Sequence, residues 1–264
     1  MTGPLHFAAV GDVHGRQREM VRLVSRGAAA RGVDLDFVVQ VGDFEGNRDE
    51  SDRAGRAPEA LLGDFPAFIA GSERFPWPLS VIGGNHEPYR HLDTLAPGTA
   101  LAQRCIWLGW SGVGDVHGLR IAWQSGIHSA KAFPARRPTA AATASWKQST
   151  YFTAEDIARA RTFGPIEVLL LHDWPSGLVA RGEDPFAARG LAVKPWFVGN
   201  KHARELIDTL APRLVLCGHL HVPYRRELPR AAGGTTLVRC LASVAEGDDA
   251  CAYFRVKDGM IEEV

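Results

Sequence analysis

Long apolar runs are missing from this 264-residue chain, so no membrane-spanning helix is expected. An excess of either charge is missing too. Lys+Arg and Asp+Glu both number 30, so bulk charge draws the chain neither to nucleic acid nor to a membrane surface. Any anionic ligand must be attracted by a local site. Cysteine is scarce. Cys105, Cys217, Cys240 and Cys251 show no paired spacing and fall mostly in strand-like runs. They read as reduced core thiols, which excludes a disulfide framework and points to the cytoplasm. The start, Met1-Thr2-Gly3-Pro4, lacks a basic region followed by an apolar one, so no signal peptide is expected. No feature marks an obligate protein partner. What remains is ordinary for a globular protein, with 45% apolar and 23% charged residues. The length suits one large domain spanning 1–264.

Short apolar runs are plentiful, and they end alike. Leu5 to Val10 reads as a strand closed by Gly11-Asp12-Val13-His14-Gly15, with a helix expected over Arg16 to Arg31. Asp12 and His14, two apart at a strand end, can converge on one ion. Carboxylate plus imidazole suits Mn, Fe or Zn better than Mg or Ca. Asp36 to Val41 runs into Gly42-Asp43-Phe44-Glu45-Gly46, and a helix is expected from about Glu59 to Ala70. Leu79 to Ile82 runs into Gly83-Gly84-Asn85-His86-Glu87, where an amide and an imidazole stand side by side. Ile166 to Leu171 ends at His172-Asp173-Trp174-Pro175. Leu214 to Cys217 ends at Gly218-His219-Leu220-His221. Ligand-type residues at the carboxyl ends of successive buried strands mark the binding edge of an α/β sheet.

Two stretches break the pattern. Gly114-Asp115-Val116-His117-Gly118 repeats the first motif letter for letter. No helix follows it, and it lies between two strands, so it reads as a hairpin turn with Asp115 and His117 facing water. Residues 126–153 form a long irregular segment in which Lys131, Arg136, Arg137 and Lys147 interleave with Phe133, Trp146, Tyr151 and Phe152. Basic plus aromatic content suits phosphate contact and base stacking. Arg48, Lys131, Arg136 and Trp146 are the candidate substrate contacts. Residues 177–199, rich in Gly, Pro, Ala and Arg, form a candidate lid.

The candidate metal ligands are therefore Asp12, His14, Asp43, Asn85, His172, His219 and His221. If Asp43 bridges, each of two divalent ions receives four protein ligands, leaving room for water and substrate. Two carboxylates cancel only two of four positive charges, and the remainder favours a phosphate oxygen and a bridging hydroxide. His86 is left beside the site as the candidate proton donor to a leaving oxygen.

The set GDVHG, GDFEG, GGNHE, LLHDWP and GHLH resembles the calcineurin-like metallophosphoesterases. That resemblance implies two packed β-sheets with helices on both outer sides, an α-β-β-α sandwich. It also implies two divalent ions on the seven ligands and an acid role for His86. Within the superfamily, GDFEGNRDESD, GGNHE, WLGWSGV, RIAWQSGI, HDWP and GHLHVPYR look most like the RNA lariat debranching enzymes. Those eukaryotic enzymes characteristically carry Cys where this chain has Asp12, and a Tyr-His pair where it reads Tyr151-Phe152. The serine/threonine phosphatases continue their second motif as GDxxDRG, and this chain has Gly46 where their second Asp would stand. The expected activity is phosphodiester hydrolysis on a nucleotide or RNA by a metal-activated water. Phosphomonoester hydrolysis on a small metabolite or phosphoprotein is the alternative, and a non-catalytic binding scaffold the third reading.

Overall fold

The structure is a computed structural model that describes residues 3–55, 62–134, 136–137, 145–231 and 233–264. The first part of the chain runs β1 (Leu5–Val10), α1 (Gln17–Arg31), β2 (Phe37–Gln40), α2 (Phe65–Ile69), β3 (Leu79–Val81), α3 (Tyr89–Leu92), β4 (Ala100–Ala102) and β5 (Cys105–Trp107). There follow β6 (Ser111–Val116), β7 (Leu119–Gln124), α4 (Ala154–Ala160), β8 (Val168–Leu171), α5 (Lys201–Leu210) and β9 (Leu214–Cys217). The last strands are β10 (Tyr224–Pro229), β11 (Thr235–Cys240), β12 (Cys251–Lys257) and β13 (Met260–Glu263).

Two sheets result. One has the order β13-β12-β1-β2-β3-β5-β4 and the other β10-β11-β9-β8-β7-β6. Each has four parallel strands at its centre, β1-β2-β3-β5 and β11-β9-β8-β7, flanked by antiparallel edges. β8 and β9, at the middle of the second sheet, are apolar throughout because both faces are covered. Phe7 and Ala9 of β1 face the second sheet, where they meet Val168 and Leu170 of β8 and Leu214 and Leu216 of β9. Ala8 and Val10 point the other way, onto Met20, Leu23 and Val24 of α1. Leu169 and Leu171 likewise pack outward with Ile157 of α4 and Leu206 of α5. Alternation on each strand thus produces the four layers expected from the motifs.

One helix differs from its expectation. The stretch from Glu59 to Ala70 yields only Phe65–Ile69, and residues 56–61 lie outside the described residues. Gly63 has a positive φ of 81° and its Cα region packs on Gly15, so the chain is committed to a turn there. The second GDVHG copy closes the β6–β7 hairpin. Asp115 accepts a hydrogen bond from the Gly118 amide at 2.9 Å, and both Asp115 and His117 are exposed. His117 is not merely solvated, since its ring lies flat on Phe37, 5.3 Å between centroids.

Candidate metal centre

The carboxyl ends of β1, β2 and β3 from one sheet and of β8 and β9 from the other deliver the strand-end residues to one place. Five of the nine non-glycine residues with positive φ, among those described, are His14, Asp43, Glu45, His219 and His221. That backbone region is sparsely used by such residues, and its concentration at one spot marks a site held by its surroundings. Glycines make the approach possible. A Cβ on Gly84 would sit 2.2 Å from Asp43 Oδ1, and one on Gly218 would sit 2.2 Å from Asp12 Oδ1.

Two groups of donors form. In the first, His221 Nε2 lies 3.0 Å from Asp12 Oδ2 and 3.0 Å from His14 Nε2. In the second, His172 Nε2 lies 3.4 Å from Asp43 Oδ2 and 3.1 Å from Asn85 Oδ1, and His219 offers a ring nitrogen within 4.8 Å of the Asp43 and His172 atoms. Asp43 stands between the groups, with Oδ2 also 3.9 Å from His14 Nε2. The seven candidate ligands are therefore brought together.

The ring orientations are fixed from behind. His172 Nδ1 donates to the Val41 carbonyl at 2.8 Å, which turns Nε2 towards Asp43. His14 Nδ1 meets Glu45 Oε1 at 2.8 Å, which turns its Nε2 towards Asp12, Asp43 and His221. A metal-ligating imidazole usually has such an oxygen on its other nitrogen. His219 Nδ1 is buried with no hydrogen-bond partner among the described residues. A cation would satisfy that nitrogen, so the donor set fits divalent ions.

Two acids were not anticipated. Glu45, buried, holds His14 and also reaches His86 Nδ1 at 3.3 Å. His14, Glu45 and His86 form a third close group, but Glu45 takes the Nδ1 side of both rings and so orients them rather than joining the ligand face. Glu87, also buried, accepts the Phe44 amide at 2.7 Å and the Glu45 amide at 3.0 Å, and so holds the turn that carries Asp43. Glu45 repeats the Asp12-x-His14 spacing two residues after Asp43, and that spacing was the available signal.

His86 follows Asn85 and donates its amide to Asp43 Oδ1 at 2.7 Å. Its side chain is 41% exposed, and the ring meets the edge of Trp146 at 5.7 Å. Trp146 thus reaches the centre from the 126–153 segment. Lys131 and Arg136, with Lys147 and Tyr151, line a cleft of about 400 Å³ in that segment. Phe133 and Phe152 instead pack inward with His128, and residues 135 and 138–144 lie outside the described residues. Arg48 is bound by Asp52 through two nitrogens, at 2.8 and 2.7 Å. The 177–199 segment is pinned down. Phe186 is buried against Trp174, and Arg189 pairs with Asp249 at 3.1 Å. With Leu191 and Phe197 it walls a cleft beside His219.

Without a cation, protons carry the positive charge. Burial alone would lower His172, but the Asp43 carboxylate outweighs it and holds the ring at about 10. Burial likewise opposes His14, and the Glu45 contact followed by Asp43 and Asp12 raises it to about 9. Asp43, which burial would raise, is held well below the usual carboxylate range by His172, then His14 and His86. His219 is lowered by burial and by the neighbouring His172, which keeps it neutral and able to bind.

Loading should therefore release protons. At neutral pH the metal-free protein carries protons on His14 and His172, and a ligating imidazole must be neutral. Affinity for Mn²⁺ should rise with pH and level off above about 10. The sign for stability follows. Both rings titrate above their ordinary 6.5, so their contribution to the metal-free fold is present below 6.5 and fades through about 9 to about 10. Calorimetric Mn²⁺ titrations in buffers of different ionisation enthalpy read the proton count, and identical heats in all buffers would show that neither ring was protonated.

The calcineurin-like phosphoesterase family model matches residues 5–223. The chain belongs to that family, a class of phosphoric-ester hydrolases. It is similar to the lariat debranching enzyme of Entamoeba histolytica, 30% identical over 233 residues that cover 84% of this chain and 65% of that enzyme. The lariat debranching enzyme of Saccharomyces cerevisiae is 32% identical over 242 residues, 85% of this chain and 58% of the yeast protein. The chain thus spans less than two thirds of the length of either relative. Among solved structures, GAP50, the anchor in the inner membrane complex of Plasmodium, superposes with a TM-score of 0.52 at 10% identity, covering 99% of this chain and 84% of that one. That likeness concerns the fold alone. No helix among the described residues is long and apolar enough to cross a membrane.

Proposed function

We propose that the chain is a metal-dependent phosphodiesterase acting on a nucleotide or RNA substrate. The observation that carries this reading is Asp43, whose Oδ2 lies 3.9 Å from His14 Nε2 in one donor group and 3.4 Å from His172 Nε2 in the other. Asp12, His14, Asp43 and His221 would hold one divalent ion, and Asp43, Asn85, His172 and His219 a second. Bound there, Mn, Fe or Zn would neutralise charge on the phosphoryl oxygens and lower the pKa of the attacking water.

The protein's own residues do the rest. His86 is held at Nδ1 by Glu45, so Nε2 is the atom from which a proton passes to the leaving oxygen. Burial works against that proton, but the Glu45 contact and the nearby Asp43 raise the ring above its ordinary value, which favours the protonated form an acid needs. Trp146 braces the ring from the other side. Lys131 and Arg136 supply positive charge along the adjoining cleft, where phosphates flanking the scissile bond would lie. Similarity to lariat debranching enzymes supports a diester and an RNA.

The test compares bis-p-nitrophenyl phosphate with p-nitrophenyl phosphate under Mn²⁺, then 2′-5′ with 3′-5′ linked dinucleotides. Preferential hydrolysis of the diester and cleavage of at least one dinucleotide linkage are expected. Faster turnover of the monoester, with both dinucleotides intact, would replace this reading by a phosphomonoesterase.

A further inference from the structure

Large apolar side chains are buried over most of the chain and exposed together on one stretch. Of the seven such side chains exposed among the described residues, four, Leu191, Val193, Trp196 and Phe197, fall between residues 191 and 197. Clustering of that kind marks a contact surface. Leu191, Val193 and Phe197 line a cleft of about 310 Å³, and His219 of the metal centre lines it too. The wall is fixed by the fold itself. Its segment is tied at the base, where the Ser176 amide donates to the Asn200 carbonyl at 3.0 Å and the Asn200 amide to the Trp174 carbonyl at 2.9 Å, and Phe186 anchors its middle in the core. A wall already in place spares a ligand the cost of ordering it.

The lining decides what fits. No lysine or arginine belongs to it among the described residues, unlike the 126–153 cleft, so a phosphate finds no counter-charge there. Asp173 is engaged by its neighbours: it accepts the His128 amide at 3.0 Å, the Asn200 side chain at 2.9 Å and the Trp174 amide at 2.9 Å. Asn200 is engaged as well, accepting the Ala203 amide at 2.8 Å. One polar group remains. The half-buried ring of His128 makes no hydrogen bond among the described residues, and burial, with Lys201 nearby, lowers its pKa against the pull of Asp173. A neutral imidazole offers one donor and one acceptor. Apolar walls with one such handle suit a flat ring. The volume lies at the small end of ligand pockets, about 300–1,000 Å³, which is room for one ring system and not for a chain of them.

The position of the cleft selects the ring. His219 belongs to the donor group of Asp43 and His172, whereas His86 stands with His14 and Glu45. The leaving oxygen is the one that meets His86, so a group lodged beside His219 is the ester substituent that stays on phosphorus. We infer that Leu191, Val193, Phe197 and His128 form a subsite for a single aryl or nucleobase ring on the retained substituent of the diester. The inference rests on the phosphodiesterase reading and deepens it. It makes these side chains the selectors between flat aromatic and small aliphatic esters, with no need of a polymer.

The test is steady-state kinetics of the Mn²⁺-loaded protein on three diesters. All share p-nitrophenolate as leaving group, and they carry methyl, phenyl or 5′-thymidyl as the retained substituent. Stacking on an aromatic side chain should make KM about tenfold lower for phenyl and thymidyl than for methyl. The double variant Leu191→Ala, Phe197→Ala should raise those two KM values by about tenfold, with kcat and the methyl ester unchanged. Phe197→Trp should keep the preference, and Met260→Ala, which trims an exposed apolar residue elsewhere, should alter nothing. Circular dichroism and metal content confirm that the variants are folded and loaded. Equal KM for the three esters, or a preference that survives the double variant, would overturn the inference. So would an equal loss on all three esters, which would place the leaving ring in the cleft. A dimer in light scattering that dissociates in the double variant would assign these side chains to a second copy and also overturn it. The two readings fail separately. If the esters are hydrolysed with equal KM, the subsite falls alone. If none is hydrolysed, calorimetry of phenyl phosphate against methyl phosphate on the loaded protein decides. Tighter phenyl phosphate, lost in the double variant, keeps the subsite while the phosphodiesterase reading falls, and equal affinities end both.

Discussion

Asp43→Asn is expected to lower metal content more than any other single ligand change and to reduce turnover of every ester to background. The substitution keeps the size of the side chain and removes the one charge that faces both donor groups. Asp43 is fully buried, and its interaction with cations is correspondingly little screened. An amide at the same place can still accept the His86 amide, so the turn should survive. Asn85→Ala, by contrast, removes a neutral donor from one group. Asp115→Ala and His117→Ala test the duplicate motif, and both should retain metal because that copy closes a hairpin. Elemental analysis after gel filtration gives the answer, and full loading of two ions in Asp43→Asn would reject the bridging position.

His86→Ala should keep its metal and lose on the order of 10²–10⁴ in turnover of a natural diester. The size of the loss should depend on the leaving group. A ribose alkoxide leaves poorly unless protonated, whereas nitrophenolate leaves well without a proton. A residue that only bound phosphate would affect both substrates alike, since each presents the same non-bridging oxygens. A metal ligand would show as lost metal. Assays of a dinucleotide and a nitrophenyl diester on one metal-verified preparation therefore separate three roles, and equal losses on both would sink the acid assignment.

Much of the site was legible because its residues sit where buried strands stop. A strand buried on both faces must be apolar to its end, so the first polar residues beyond it stand out, as Asp12, Asp43 and His172 do. The two-sheet architecture was legible from the motif set. The hairpin around Asp115 was legible from the lack of a following helix. Glu45 was not, because its reach depends on a positive φ that swings it back between His14 and His86. Glu87 was hidden for a similar reason: it serves backbone amides beyond the end of the neighbouring strand β2. The short α2 shows the opposite error. Leu61, Leu62, Phe65 and Ile69 have helical spacing, but Gly63 turns against Gly15 and Ile69 is exposed.

Each donor group draws on both sheets. Asp12 and His14 come from the first sheet and His221 from the second, while Asp43 and Asn85 come from the first and His172 and His219 from the second. During synthesis on the ribosome, the first four of these seven side chains emerge long before the last three. On this ligand set, neither ion could be captured with full affinity by a nascent chain that had not yet reached His221, and metal selection would fall to a chain with both sheets already made, exposed to whatever ions its compartment offers.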